Sequence, residues 1–113
     1  MQVTGGIVST LATTLTPAGT TQTINLATGN MQQLNLGSAT GDVTLTLTNP
    51  VAGGSYAIKI VQGATARLLV WPAAVKWPSG LVMSLSTTNG AIDLVTLFYD
   101  GSNYLAVGGA NFQ

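Results

Sequence analysis

The sequence predicts an all-β fold of about eight short antiparallel strands whose spacing points to a sandwich or a barrel, and of these a β-sandwich of jelly-roll type is expected. Three observations carry this expectation. Apolar and polar residues alternate with a period of two through much of the chain. Clusters of Gly, Pro, Asn, Asp and Ser interrupt that alternation roughly every eight to twelve residues. No stretch holds a helical period.

The elements follow in order. Residues 1–20 are small and Thr-rich, with irregular apolar spacing, and are expected to form an extended N-terminal arm or an edge strand. A single β-sandwich domain is expected over residues 21–113. Thr21 to Ala27 sets Ile24 and Leu26 on one face, and Met31 to Leu36 does the same for Leu34 and Leu36. The repeated pattern, Ile24-Asn25-Leu26 and Leu34-Asn35-Leu36, is read as a local echo, too short for a solenoid. Asp42 to Asn49 is the clearest strand, with Val43, Leu45 and Leu47 opposite Thr44, Thr46 and Thr48. β-branched Thr suits the exposed side of a pleated strand. Ser55 to Gln62 and Arg67 to Trp71 follow, then a Pro-containing segment from Pro72 to Gly80. Ala91 to Tyr99 is apolar on both faces and reads as a buried or central strand. Asp100-Gly101-Ser102-Asn103 is a hairpin turn, and Tyr104 to Val107 is the returning strand. The expected core comprises Leu45, Leu47, Ile58, Ile60, Leu94 and Phe98.

Composition narrows the function. Only 5% of residues are charged, against roughly 25% in ordinary domains. The six are Asp42, Lys59, Arg67, Lys76, Asp93 and Asp100, and they sum to zero. Three scattered cations make no phosphate-binding patch, so no nucleic-acid partner is expected. No apolar run is long enough to span a bilayer as a helix, so no membrane partner is expected. Met1 to Gly6 offers no basic n-region, and no signal peptide is read there.

The chain contains no His, Cys or Glu. Activation of a Ser or Cys nucleophile by His is therefore closed to it, as are Cys/His zinc sites. Asp93 and Asp100 stand at odd and even positions of one strand and its turn, a poor arrangement for paired carboxylates. No catalytic residue, metal site or cofactor is expected, and the chain is read as a non-enzyme. The candidate contact residues are Trp71, Trp77, Arg67 and Lys76. Trp71-Pro72 and Trp77-Pro78 force extended backbone at each Trp. These side chains either form a sugar-stacking platform or interface anchor, or close one end of the fold with each indole N–H bonded to a loop carbonyl. Arg67 and Lys76 flank them and are candidates for pairing with Asp93 or Asp100, or for contact with a neighbouring subunit. Asp93, inside an apolar strand, is expected to take backbone N–H donors.

From Ser55 onward the sequence resembles a recurrent β-module of tailed-bacteriophage virion proteins. The resemblance rests on Tyr56 to Gln62, on Arg67 to Trp71-Pro72, on Val75-Lys76-Trp77-Pro78-Ser79-Gly80, on Ser86 to Asp93 and on Phe98 to Tyr104. It covers about half of the chain, and the doubled Trp-Pro motif is its most specific feature. Leu81-Val82-Met83 departs from it by lacking a Pro. The module occurs at the ends of tail fibres and tail spikes and as free-standing proteins that decorate capsids. The resemblance implies a structural protein on the outer surface of a phage particle, made in the host cytoplasm and commonly a homotrimer. A single module without a shaft fits capsid decoration, with the major capsid protein as partner. The alternative is a tail-fibre or tail-tip module that recognises host-surface glycan; a weaker third reading is a non-viral secreted adhesion module.

Overall fold

A computed structural model describes residues 10–113. The reading of Met1 to Gly6, and the first nine residues of the expected arm, lie outside the described residues.

Among the described residues, eight strands form two sheets that enclose one hydrophobic core. β1 (Thr21–Asn25), β3 (Val43–Thr48) and β5 (Leu69–Val70) make a three-stranded sheet in the order β1-β3-β5. β2 (Met31–Asn35), β4 (Ser55–Val61), β7 (Ile92–Tyr99), β8 (Tyr104–Phe112) and β6 (Val75–Lys76) make a five-stranded sheet in the order β2-β4-β7-β8-β6. From β1 to β6, successive strands belong to alternate sheets.

That alternation corrects one expectation. The strands are not uniformly antiparallel. β1, β3 and β5 are mutually parallel, β2 runs parallel to β4, and β6 runs parallel to β8. Only the β4–β7 and β7–β8 pairings are antiparallel. The physical reason lies in the corners. A 3-10 turn over Leu26–Thr28 carries the chain from β1 into the other sheet, and a second over Leu36–Ser38 carries it from β2 back again. A chain that changes sheet at each corner meets its own earlier strand in the same direction, so the first half winds as a coil. The described part of the N-terminal segment joins the coil. Leu11 bridges Met31 and Leu15 bridges Leu34, both in parallel.

The Asn-Leu echo marks those corners. The Asn25 side-chain oxygen accepts from the Ala27 N–H at 3.0 Å, and the Asn35 oxygen accepts from the Gly37 N–H at 2.9 Å. Each Asn thus caps a turn whose first residue, Leu26 or Leu36, is buried. Buried Gln32 braces the first corner by donating to the Gly29 carbonyl at 2.9 Å and to the Thr28 hydroxyl at 3.1 Å. At the second corner, Gly37 and Gly63 approach so closely that a Cβ on Gly63 would collide with the Gly37 backbone.

The core takes Ile24 from β1, Val43 and Leu45 from β3, Leu34 from β2, Ile58 and Ile60 from β4, and Val95 and Leu97 from β7. Leu47 packs at its margin. Leu94 and Phe98 do not belong to it. β7 turns Asp93, Val95 and Leu97 inward, leaving Leu94 half-buried and Phe98 47% exposed. The strand is central, between β4 and β8, but its outer face is open. An apolar residue on either face leaves alternation with no sign, and the buried Asp93 then decides the parity.

Candidate functional site

Trp71 and Trp77 are brought together. Their rings meet edge to face, with centroids 5.4 Å apart and planes at 73°. Trp77 is buried at 9% exposure, whereas Trp71 is half-buried. Trp77 holds extended backbone (φ −110°, ψ 153°) ahead of a 3-10 turn over Pro78–Gly80, as Pro78 demands. The expectation of a loop carbonyl for each indole is not met at Trp77, whose buried Nε1 has no protein acceptor. The ring belongs to the buried apolar cluster and meets Trp71 edge to face.

Three hollows surround the pair. One of about 240 Å³ lies between Trp77, Pro78, Phe98, Leu105 and Val107, with Lys76 at its rim. One of about 400 Å³ adjoins it and is lined by Trp77, Pro78, Leu81, Met83 and Val107. The third, of about 420 Å³, lies beside Trp71 and includes Ser84 and Thr87. Exposed Lys76 thus stands with the Trp pair. Arg67 does not: its Nε donates to the Ala39 carbonyl at 3.2 Å, at the corner between β2 and β3. Its backbone is clamped by buried Gln62, which donates to the Arg67 carbonyl at 2.6 Å and accepts from the Arg67 N–H at 3.1 Å.

Neither carboxylate named in the sequence pairs with Arg67 or Lys76 through its hydrogen bonds. Asp93, 1% exposed, accepts from the Ser86 N–H at 2.7 Å, the Ser86 hydroxyl at 2.7 Å and the Asn111 N–H at 2.8 Å. A bulge supplies the third donor. Ile92 faces Phe112 and Leu94 faces Gly109, so Ala110 and Asn111 together oppose Asp93. Asn111 adopts φ 57°, a conformation that Asn tolerates better than most residues. Asp93 is thereby a structural clasp that ties the Ser86 loop and the β8 bulge to β7.

Asp100 organises the hairpin between β7 and β8. Its side chain accepts from the Asn103 N–H at 2.7 Å and the Ser102 N–H at 2.9 Å. These donors, Asn103 first and then Ser102, hold the carboxyl below its ordinary value of 3.8. A depressed carboxylate pKa contributes stability above the unfolded value, which is lost as pH falls through the folded one. A carbon-detected NMR titration should therefore place the Asp100 midpoint below 3.8, with the Ser102 and Asn103 amide signals moving in the same window. A midpoint at or above 3.8 would remove the turn from its acid response.

The sequence reasoning missed Leu81, Leu105 and Val107, all exposed beside Trp77. The signal that pointed to them was β7 itself, with apolar residues on a face that lacks a covering layer. Among the described residues no helix is long and apolar enough to cross a membrane. No protein-family model, no curated protein and no solved structure matches the chain.

Proposed function

We propose that this chain is a structural protein of a bacteriophage virion, a subunit that decorates the assembled head shell and stabilises it. One observation supports the reading most. The outer face of the β1–β3 pair is an uncharged hydrogen-bonding surface, with exposed Thr21 opposite Thr44 and exposed Thr23 opposite Thr46 in parallel register, and exposed Val70 of β5 borders it. Such a face suits a broad contact made of many neutral bonds. The Trp-Pro resemblance, which spans β4 to β8, gives the virion context. In finer detail the two sheets are read as a β-sandwich, the protomers as a homotrimer, and the partner as the major capsid protein on the outer surface of the particle. The role is non-enzymatic: ligation of an intact lattice stabilises that lattice over its separated subunits by mass action.

Because the contacts are neutral, shell affinity should change less than about three-fold between roughly 0.05 and 0.5 M salt, where screening removes most exposed charge attraction. Sedimentation of the purified protein with shells measures this, and a steep loss of binding with salt would overturn the neutral-contact mechanism. Electron cryo-microscopy of the particle tests location: density at regular head sites is expected, and density only at the tail would favour the fibre reading. That second reading, glycan recognition, draws on the hollow beside half-exposed Trp71, where Ser84 and Thr87 offer hydroxyl groups.

A further inference from the structure

Among the described residues, the outer face of β7 and β8 is largely apolar and uncovered, with Thr96 opposite Val107 as its polar member. Phe98 and Leu105 are cross-strand partners, 47% and 50% exposed. Val107 follows on the same face at 49%, and Leu81 stands beside it at 74%. The two hollows under this face share Trp77, Pro78 and Val107 as walls, so they lie side by side. The only charged residue lining them is Lys76.

We propose that this face docks a second copy of the chain and is the protomer contact of its homo-oligomer. The inference rests on the reading that the chain self-associates and names the surface that does it. The first argument is area. The exposed parts of these four side chains amount to roughly 400 Å², within the range of about 300–600 Å² for the largest apolar patch of a monomer and often functional at that size. A stable interface takes about 800 Å² from each partner, so the patch is large enough for its centre, with a polar rim completing it.

The second argument is shape. A contact between identical surfaces requires each copy to supply both the projection and the depression. Exposed Leu81 and Phe98 form part of the walls of the hollows beside Trp77, so exposed apolar side chains and depressions lie within one patch. That combination serves a two-fold pair or three copies meeting at one axis. The third argument is charge. With a net charge of zero, no overall repulsion opposes the approach of a second copy. On the walls of these hollows a charged partner would find only Lys76, and a glycan would find almost no hydrogen-bonding groups.

Sedimentation velocity of the full chain across roughly 1–100 µM reads the outcome directly, a range that brackets micromolar association. The wild type should sediment as an oligomer. Leu81→Lys and Leu105→Lys, each at an exposed position, should raise the dissociation constant at least ten-fold while leaving the circular dichroism unchanged. Should either variant misfold, Leu105→Cys in this cysteine-free chain gives a second readout: its thiol should resist alkylation in the oligomer and react on dilution. Variants that associate like the wild type, or a thiol equally reactive at both concentrations, overturn the surface assignment but leave self-association standing. A wild type monomeric throughout overturns both. If that monomer binds shells and the variants do not, the face belongs to the shell contact instead.

Discussion

Asp93→Ala should lower the unfolding free energy by about 2–4 kcal/mol, the scale of stranding buried donors. The truncation removes the acceptor of the Ser86 N–H, the Ser86 hydroxyl and the Asn111 N–H at once. The hydroxyl can rotate toward another acceptor, but the two backbone donors cannot. Against a typical total of about 5–15 kcal/mol, this is among the largest losses available to a single side chain here. Asp93→Asn keeps one acceptor oxygen in place and presents an amide donor where the second oxygen stood, so its loss should be smaller. Urea denaturation monitored by tryptophan fluorescence measures both. Amide hydrogen exchange should quicken at Ser86 and Asn111 in the Ala variant. A loss under about 0.5 kcal/mol, the scatter of ordinary surface changes, would mean that the Ser86 loop and the β8 bulge are held by other contacts.

Trp77→Ala should cost about 3–5 kcal/mol, as expected for truncation of a buried aromatic. Trp71→Ala should cost roughly half as much, because part of its surface already faces water. The edge-to-face contact adds about 0.5–1.5 kcal/mol of coupling, which a double-mutant cycle isolates. The contrast separates two roles. Trp77 is a wall of the core, so its loss should show in stability before any binding assay can be read. Trp71 is open enough to serve a ligand, and Trp71→Ala should stay folded. If folded Trp71→Ala particles lose adsorption to host cells, glycan recognition gains at the expense of decoration. If adsorption is unchanged, Trp71 only shields Trp77. Equal destabilisation by both substitutions would contradict the unequal burial of the two rings.

Much of the fold was legible where one strand face is polar. Val43 and Leu45 alternate with Thr44 and Thr46, and Tyr56, Ile58 and Ile60 alternate with less buried neighbours, so their inward faces follow from the pattern. β7 gave no such contrast. Leu94 and Phe98 look as much like core as Val95 and Leu97, and the expectation that Asp93 takes backbone N–H donors did not say which segments supply them. Only tertiary structure supplies the donors that let the carboxylate face in. Strand direction was equally hidden, because a run such as Leu26-Ala27-Thr28-Gly29 breaks a strand without saying whether the chain returns within its sheet or crosses to the other. The Asn-Leu echo held that information, since a capped 3-10 corner is what it encodes twice. Of the candidate site, the Trp pair and Lys76 were found by residue type. Leu81, Leu105 and Val107 carry no distinctive chemistry, and an exposed apolar residue in a strand looks the same in sequence as a buried one.

The coil has a consequence for how the chain comes together in time. The parallel pairings between its named strands join residues more than twenty positions apart, Thr21 to Thr44 and Met31 to Ala57 among them. β7 and β8, by contrast, meet across the short turn that Asp100 organises. A hairpin of that kind closes in about 1–10 µs, whereas folds dominated by distant pairings take milliseconds to seconds. The fastest element thus leaves the ribosome after the coil. β4 finds its antiparallel neighbour only when β7 has emerged, and until then Ile58 and Ile60 have half of their sheet missing. The nascent chain passes through a period in which its apolar strands wait for a partner, and slower translation would lengthen its exposure to aggregation.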